Sequence, residues 1–313
     1  MTAQSPPVPA DPDAADAGAV DTRAVRRAFA RAAATYDAAA VLQREVGRRM
    51  AARLEVVRLA PLALLDAGSG TGEAQGDLAA RYPAANRVCL DLALPMLAAA
   101  RARGDAAGSR LARLVGRVRG RVPRRVPSYV CADIASLPFA AGVFDLVWSN
   151  LALQWVNDLP RALAECRRVL GVGGLLSLTT FGPDTLREIR SAFAGVDGHT
   201  HVNRFVDMHD IGDVLLQAGF ADPVMDMEYV TLTYADAPAM MRDLRAIGAT
   251  NATLGRPRGL MGRARFERVR AALDATRTDG RIAATFEVIY GHAWKAAPTR
   301  TAEGLPIVKL ERR

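Results

Sequence analysis

The residues with the clearest chemical potential in this 313-residue chain lie in a glycine-rich stretch that follows a short apolar run, residues 62–65. Asp66 comes directly after that run. The glycines of the stretch stand at alternate positions: Gly68, Gly70 and Gly72. Because glycine has no side chain, a strand that enters such a turn lets a ligand approach the main chain closely. A dinucleotide-binding fingerprint would need its third glycine one place later, where this chain has Glu73.

A second acid, Asp91, ends the next strand-like run, residues 87–90. An acid at the end of the second strand of a βαβ unit is where the hydroxyls of a ribose are held. The glycine-rich turn followed by this acid resembles the first motif of the class I S-adenosylmethionine-dependent methyltransferases. The resemblance implies S-adenosylmethionine as the cofactor and a doubly wound, Rossmann-like α/β sheet.

Under this resemblance, three acids at strand ends have separate tasks. Asp91 would accept hydrogen bonds from the ribose, Asp133 would face the adenine amino group, and Asp66 would orient the glycine turn and the methionine end of the cofactor. The expected cofactor-binding residues are Asp66, Gly68, Gly70, Gly72, Asp91, Leu92, Met96, Asp133, Ile134 and Asn150.

The residues at the end of the predicted strand 143–149 help to indicate which chemical group accepts the methyl group. Residues 149–155 read Ser-Asn-Leu-Ala-Leu-Gln-Trp, without the Asn/Asp-Pro-Pro-aromatic motif typical of methyltransferases that act on adenine or glutamine nitrogen. The cysteine pair of cytosine C5 methyltransferases is also absent. A carboxylate needs little activation, because its reference pKa is about 4 and no general base is required at pH 7. The site would then mainly align the methyl donor with the acceptor carboxylate and exclude water.

Further segments are similar to those of the malonyl-acyl carrier protein O-methyltransferases of biotin synthesis, over a span from about Arg23 to Trp294. The matching segments are residues 27–31, 34–37, 42–44, 148–155, 203–205, 244–250 and 285–292. The resemblance implies esterification of the free malonyl carboxylate carried by the phosphopantetheine arm of an acidic carrier protein. A net charge of +8 suits such a partner.

The same resemblance makes Tyr36 the expected catalytic residue. With Phe29 and Arg31, Tyr36 would close an N-terminal helix over the cofactor and the substrate, although Phe29 could equally serve core packing. An arginine should hold the malonyl carboxylate, since its planar two-donor group matches a carboxylate. The candidates are Arg204, Arg242 and Arg245, and the sequence does not choose among them.

Two other functions stay open at this point. Residues 155–161 and 181–187 resemble the methyltransferase-like assembly factors of respiratory complex I, which are linked to arginine hydroxylation. Those proteins tend to carry Gly-Gly-x-Ser-Pro-Arg near the present residues 197–204, and this chain lacks it, which favours carboxyl methyl transfer. A non-catalytic assembly protein that keeps the pocket for structural reasons also fits the fold.

Positive charge is concentrated between residues 101 and 125, which hold nine arginines and one acid, Asp105. This segment is either a solvated insertion or a docking surface for an acidic partner. A nucleic-acid partner is disfavoured, because no aromatic side chain interleaves the arginines to stack on bases.

The expected organisation is a disordered tail (1–22), a methyltransferase domain (23–295) and a flexible tail (296–313), with a basic insertion at 101–127 and a helical lid at 236–280. Within the domain we expect one long helix over 23–58. The expected strands are 62–66, 87–92, 129–133, 143–149, 175–181, 224–234 and 284–294.

Composition indicates a cytoplasmic protein without membrane contact. The sequence has no signal peptide and no apolar run near the ~18 residues of a membrane span. Cys89, Cys131 and Cys166 lack metal-binding spacing and are expected to be buried, reduced thiols. No metal site is expected, since no cysteine or carboxylate completes a signature with the nearby histidines at 199, 201 and 209.

Overall fold

A single twisted sheet organises the computed structural model, which describes residues 19–107, 125–257, 259 and 261–297. Its strands are β1 (Ala63–Ala67), β2 (Asn86–Asp91), β3 (Ser128–Cys131), β4 (Phe144–Asn150), β5 (Leu170–Phe181), β6 (Ala221–Tyr234) and β7 (Ile282–Trp294). They lie in the order β3-β2-β1-β4-β5-β7-β6. Strands β1 to β5 are parallel, and β7 is antiparallel to both of its neighbours. The predicted doubly wound α/β fold is confirmed.

Helices cover both faces of this sheet. The described helices are α1 (Thr22–Ala32), α2 (Tyr36–Ala39), α3 (Val41–Arg53), α4 (Gln75–Arg81), α5 (Leu94–Ala107), α6 (Leu159–Val169), α7 (Arg187–Ala194), α8 (Met208–Gln217), α9 (Ala237–Ala246) and α10 (Arg263–Asp274). Short 3₁₀ turns follow α3 at Leu54–Val56 and β4 at Leu153–Trp155.

Successive buried side chains of the central strands point to opposite faces of the sheet, so the hydrophobic core has one cluster on each face. Leu64 and Leu146 belong to a buried cluster that includes side chains of α3, α7, α9 and α10. Leu65 and Val147, their neighbours in sequence, belong to a second cluster with side chains of α6 and α8. Successive side chains of a strand point to opposite faces, so a sheet covered on both sides needs apolar residues at every position.

The predicted helix over 23–58 is divided into α1, α2 and α3. Its first break follows Ala32, where the Thr35 hydroxyl donates a hydrogen bond to the Ala32 carbonyl. The same hydroxyl lies 3.0 Å from the carbonyl oxygen of Ala246 at the end of α9. A side-chain donor of this kind competes with the helical ladder and stops it. The break turns the chain, and Tyr36 comes to lie beside the glycine turn.

Helix α6 and strand β5 follow each other directly, at Val169 and Leu170. Helix α6 starts after Asp158, whose carboxylate caps it by accepting a hydrogen bond from Arg161 N at 3.0 Å. Strand β5, expected over 175–181, begins earlier, at Leu170, and includes the glycines at positions 171, 173 and 174. Gly173 N donates to Lys295 O at 2.8 Å, so the end of the sheet continues through the glycine stretch.

The predicted segment boundaries can be compared with the described ranges. Residues 19–22, assigned to the N-terminal tail by the sequence, contact the domain: Val20 is buried and forms a β-bridge with Thr253. The first part of the predicted basic insertion continues α5 as far as Ala107. Residues 1–18, 108–124 and 298–313 lie outside the described part of the chain.

The cysteine prediction is correct for two of three residues. Cys89 and Cys166 are buried free thiols, and burial raises the pKa of both, that of Cys166 to about 12. Cys131 is also free but exposed, because it ends the edge strand β3. Among the described residues, no helix is both long and apolar enough to span a bilayer.

Candidate active site

The glycine turn between β1 and α4 is bonded to the end of β2. Gly68 N and Ser69 N donate to Leu90 O at 2.8 and 2.9 Å. Gly68 has φ +81°, and a Cβ placed there would lie 2.3 Å from the Cβ of Ala152. No larger residue fits without moving the chain, since real Cβ atoms do not approach so closely. The turn is therefore held against both β2 and the segment after β4.

The carboxylate of Asp91 is oriented by main-chain donors. One oxygen accepts from Gly70 N at 2.9 Å, and the other accepts from Ala93 N at 2.8 Å. Burial raises the pKa of Asp91, while these hydrogen bonds oppose the shift. Each oxygen keeps a lone pair for another donor, as a ribose diol would require.

Asp91 lies in a cavity of about 240 Å³, here named the Asp91 cavity. Eight of the ten predicted cofactor-binding residues line it: Gly68, Gly70, Asp91, Leu92, Met96, Asp133, Ile134 and Asn150. Residues from four separate strand ends or turns thus meet at one place, at the carboxyl edge of the parallel strands.

The other two predicted residues lie elsewhere. Asp66 lines a smaller adjoining cavity of about 40 Å³, together with Gly70 and Asn150. Gly72 lines neither cavity, although it is part of the motif. A Cβ on Gly72 would be 3.0 Å from the Cβ of Ala100 on α5, so this glycine permits close packing of the turn against a helix.

Asp66 is almost fully buried, with 2% of its surface exposed. Its carboxylate accepts a hydrogen bond from Gln75 Nε2 at 2.7 Å. Burial raises the pKa of Asp66 to about 7. A carboxyl with this pKa changes charge near neutral pH, which is unusual for an aspartate.

A larger cavity of about 430 Å³, here named the Phe181 cavity, adjoins the Asp91 cavity. Its wall is largely apolar and includes Phe181, Phe193, Phe205, Leu244 and Phe286. Four residues line both cavities: Phe29, Tyr36, Leu151 and Trp155. An apolar chamber therefore opens beside the site where the cofactor-type residues converge.

Basic side chains in the described lining of the Phe181 cavity are Arg245 and His201. The His201 ring stacks on Phe193, with centroids 3.7 Å apart. His201 Nε2 lies 2.8 Å from an oxygen of Asp197, which fixes the orientation of the imidazole. The other predicted arginines are placed differently.

Arg31, Arg242 and Arg245 are all exposed, and of these Arg31 and Arg242 line neither large cavity. Arg204 lines a separate cavity of about 50 Å³. Of the three arginines that the sequence offers as carboxylate partners, Arg245 alone lines the Phe181 cavity.

Tyr36 lies where the cavities meet, because it lines the Asp91 cavity, the Phe181 cavity and the small cavity beside Asp66. Its ring is 4.0 Å from the position that a Cβ on Gly70 would take. Burial, with the negative charge of Asp91, raises the pKa of the Tyr36 phenol above its usual value. The hydroxyl stays protonated at neutral pH and can donate a hydrogen bond.

Hydrogen bonds and one ion pair outside the sheet hold the N-terminal segment and its helices over this site. The Asn157 amide both accepts from Val20 N at 2.8 Å and donates to Val20 O at 2.9 Å. Asp21 pairs with Arg256 at 2.9 Å. After the break, the Asp37 carboxylate accepts a hydrogen bond from the Thr71 hydroxyl of the glycine turn.

Gln43 and Trp155 are site residues that the sequence reasoning did not single out. Gln43 lines the Phe181 cavity and the small cavity, and its Oε1 is buried without a hydrogen-bond partner among the described residues. A detectable signal was a polar residue on the buried side of an amphipathic helix, between Leu42 and Val46. Trp155 lies in the family-like segment 148–155, but nothing in its spacing indicates a cavity wall.

Comparison with known proteins agrees with this geometry. The family model described as "Methyltransferase domain" matches residues 65–178. The chain is 58% identical over 273 residues to "Malonyl-[acyl-carrier protein] O-methyltransferase" of Laribacter hongkongensis, covering 87% of this chain and 89% of the relative. Identity to the protein of the same name from Gallionella capsiferriformans is 53%, over 91% of this chain and 94% of the relative.

A solved structure shares the fold at much lower identity. The YcgJ protein of Bacillus subtilis superimposes with a TM-score of 0.52 at 14% identity, over 81% of this chain and 99% of that one. At this identity the likeness concerns the fold alone.

Proposed function

Since the chain belongs to the malonyl-[acyl-carrier protein] O-methyltransferase family, we propose that it methylates the free carboxylate of a malonyl group carried by an acyl carrier protein. The product is the methyl ester from which pimeloyl and biotin synthesis start. The observation that carries the proposal is the junction of the two cavities at Tyr36: one is lined by the cofactor-type residues, and the other is larger, mostly apolar and lined in part by Arg245.

S-adenosylmethionine is the methyl donor, and when bound it supplies a methyl group activated by a positively charged sulfur. The residues present fit this molecule. Asp91 would hold the ribose with its oriented oxygens, Asp133 would face the adenine, and the open side of Gly70 would allow close approach to the main chain. Among the described residues outside the glycine turn, the Tyr36 ring is the nearest group to the space where a Gly70 side chain would be.

The protein's own groups have a limited task in this reaction. A malonyl carboxylate is ionised at pH 7, so it needs no general base. The neutral Tyr36 hydroxyl would donate a hydrogen bond that orients this carboxylate, and Arg245 would supply a positive charge to the same cavity. The aromatic wall would shield the Tyr36 hydroxyl from water and so strengthen its hydrogen bond, whereas Arg245 is exposed.

The other two functions that the sequence left open are not favoured. Relatives between 49% and 58% identical, over most of the chain, are named malonyl-[acyl-carrier protein] O-methyltransferases.

Three finer features belong to the same proposal. The carrier is acidic, which suits the net charge of +8. The reaction takes place in the cytoplasm, in keeping with the free cysteines at positions 89, 131 and 166. Helices α9 and α10 form the lid of the Phe181 cavity, to which they contribute Leu244 and Phe266.

The test is to incubate the purified protein with S-adenosylmethionine and malonyl-acyl carrier protein, and to measure the intact mass of the carrier. We expect a gain of one methyl group that alkaline hydrolysis removes. Acetyl-acyl carrier protein lacks the free carboxylate and should gain nothing. Cofactor binding without any methyl gain on the malonyl carrier would overturn the proposal.

Asp91→Ala should abolish the methyl gain, because the variant loses the oriented carboxylate. Asp213→Ala is the matched control, since Asp213 is an exposed acid on α8, away from both cavities. Equal activity of the two variants would show that the Asp91 carboxylate is not needed for methyl transfer.

A further inference from the structure

Helix α1 exposes a face made of arginines. Arg23, Arg26, Arg27 and Arg31 are all exposed, and their spacing places them on one side of the helix. The helix contains no acidic residue. We name these four residues the α1 arginine face.

The described acids closest in sequence to this face are already engaged. Asp21 pairs with Arg256 and caps the helix through Ala24 N. Asp37 bonds with Thr71 and with Arg103 of α5. Among the described residues, no ion pair involves a member of the α1 arginine face, so its positive charge is directed to solvent.

The opposite side of α1 covers the active site. Phe29 lines both cavities, and Val25 lines the Asp91 cavity. Ala32 packs against Met96, which also lines the Asp91 cavity. A partner that binds the arginine face would therefore bind the outer surface of the element that roofs both cavities.

The Arg31 end of the arginine face lies close to α9, which borders the Phe181 cavity. Thr35, four residues after Arg31 and beyond the end of α1, donates a hydrogen bond to the carbonyl of Ala246, and Ala246 follows Arg245 on α9. Arg245 lines the Phe181 cavity. A carrier held on α1 is thus positioned to insert its prosthetic arm beside Arg245.

We propose that the α1 arginine face is the docking surface for the acidic acyl carrier protein, a proposal that rests on the proposed function. Docking there holds α1 against the cavities, so recognition of the carrier also stabilises the closed site. Arg31, predicted from the sequence to contact the substrate, contacts the carrier instead of the malonyl group.

The experiment compares two triple variants of the full chain, Arg23→Glu/Arg26→Glu/Arg27→Glu on α1 and Arg263→Glu/Arg265→Glu/Arg268→Glu on α10. Both sets are exposed and lie near the start of their helices, where glutamate is well tolerated. Both lower the net charge equally. Each protein is assayed with malonyl-acyl carrier protein and with malonyl-pantetheine, which has neither a carrier nor a phosphate.

We expect the α1 variant to lose at least about tenfold in kcat/KM with malonyl-acyl carrier protein, because steering and docking by complementary charge are removed. Its kcat/KM with malonyl-pantetheine should stay within about twofold of the wild type. The α10 variant should retain most of its activity with both substrates. Added salt should lower the wild-type rate on the carrier more steeply than that of the α1 variant.

Equal losses in the two variants, or a loss confined to the α10 variant, would overturn the docking proposal and leave the proposed function intact. A loss with malonyl-pantetheine as large as that with the carrier would also overturn it, since the effect would then lie in the site itself. A wild-type protein that methylates neither substrate would instead reject the proposed function.

Discussion

The rings of Phe29 and Trp155 meet edge to face, with centroids 5.3 Å apart and planes at 87°. Both residues line both cavities. Phe29 belongs to α1 and Trp155 to the 3₁₀ turn after β4, so the contact joins the roof of the site to the sheet. This aromatic pair is therefore part of the wall of both cavities, at the junction where methyl transfer would occur.

Phe29→Ala should open that wall and admit water to the junction. We expect kcat/KM with malonyl-pantetheine to fall by about tenfold or more, because small losses of alignment are costly in transfer reactions. Steady-state kinetics with this small substrate measures the effect without a contribution from carrier docking. A double-mutant cycle with Trp155→Leu should show a coupling of about 0.5–1.5 kcal/mol in the free energy of unfolding. Additive effects would mean that the ring contact contributes nothing.

Gly68→Ala should be strongly disruptive. The added methyl would lie 2.3 Å from the Cβ of Ala152, in a backbone conformation with φ +81°. We expect loss of binding to S-adenosylhomocysteine in calorimetry and a lower melting temperature. Gly76→Ala is the matched control, because a Cβ at this helical position would meet no other described part of the chain within 4 Å beyond its sequence neighbours and its own helix. Alanine there should stabilise α4 by about 0.5–1 kcal/mol, and similar behaviour of the two variants would contradict the steric argument.

Asp66 should make stability depend on pH around neutrality. Its pKa is raised from 3.8 to about 7 in the folded protein. Between these values the folded state binds more protons than the unfolded chain, so the free energy of unfolding falls as pH rises. Asp66→Asn removes this titration and keeps an acceptor for Gln75.

Urea unfolding at pH 5 and pH 8 measures the prediction for Asp66. Relative to Asp66→Asn, the wild type should lose about 2–3 kcal/mol between these pH values, from about 1.4 kcal/mol for each pKa unit. The comparison between the two proteins cancels the titration of the groups that do not interact with Asp66. Parallel pH profiles would show that Asp66 does not titrate in this range.

Asn157→Ala should release the segment before α1. The substitution removes both hydrogen bonds to the main chain of Val20. We expect faster hydrogen exchange in residues 20–36 and a loss of about 1–3 kcal/mol in stability, because a buried main-chain donor and acceptor lose their partner. Gln217→Ala, at an exposed position on α8, is the control. Unchanged exchange in α1 would show that other contacts suffice to hold the roof.

The cofactor side of the site was predictable because its signals are local. A strand, a glycine turn and an acid at the next strand end follow one another within 29 residues, 63–91, and parallel strands bring such ends to one edge. Asp91 and Asp133 therefore line the cavity where the spacing places them. Gly72 shows the limit of this reasoning, since the same motif does not reveal that α5 packs against the turn at this glycine.

The substrate side depends on contacts between residues far apart in the chain. Arg204, Arg242 and Arg245 are equivalent as residue types, and only the orientation of α9 places Arg245, rather than Arg242, in the wall of the Phe181 cavity. The break after Ala32 depends in the same way on a carbonyl more than 200 residues away. The position of Arg245 and the helix break both depend on the free energy of packing and hydrogen bonding between distant segments. A local sequence pattern gives no information on those contacts.

By itself, the sequence determined the strand-and-helix alternation, the glycine turn and the acids at strand ends, since these follow from local backbone chemistry and the two-residue and 3.6-residue periods. Only the tertiary structure decided that Phe29 and Trp155 meet, that Tyr36 lies at the junction of the cavities, and that the arginines of α1 face solvent above them. The physical reason is that long-range packing selects one arrangement of the helices over the sheet, and that arrangement sets which side chains share a cavity.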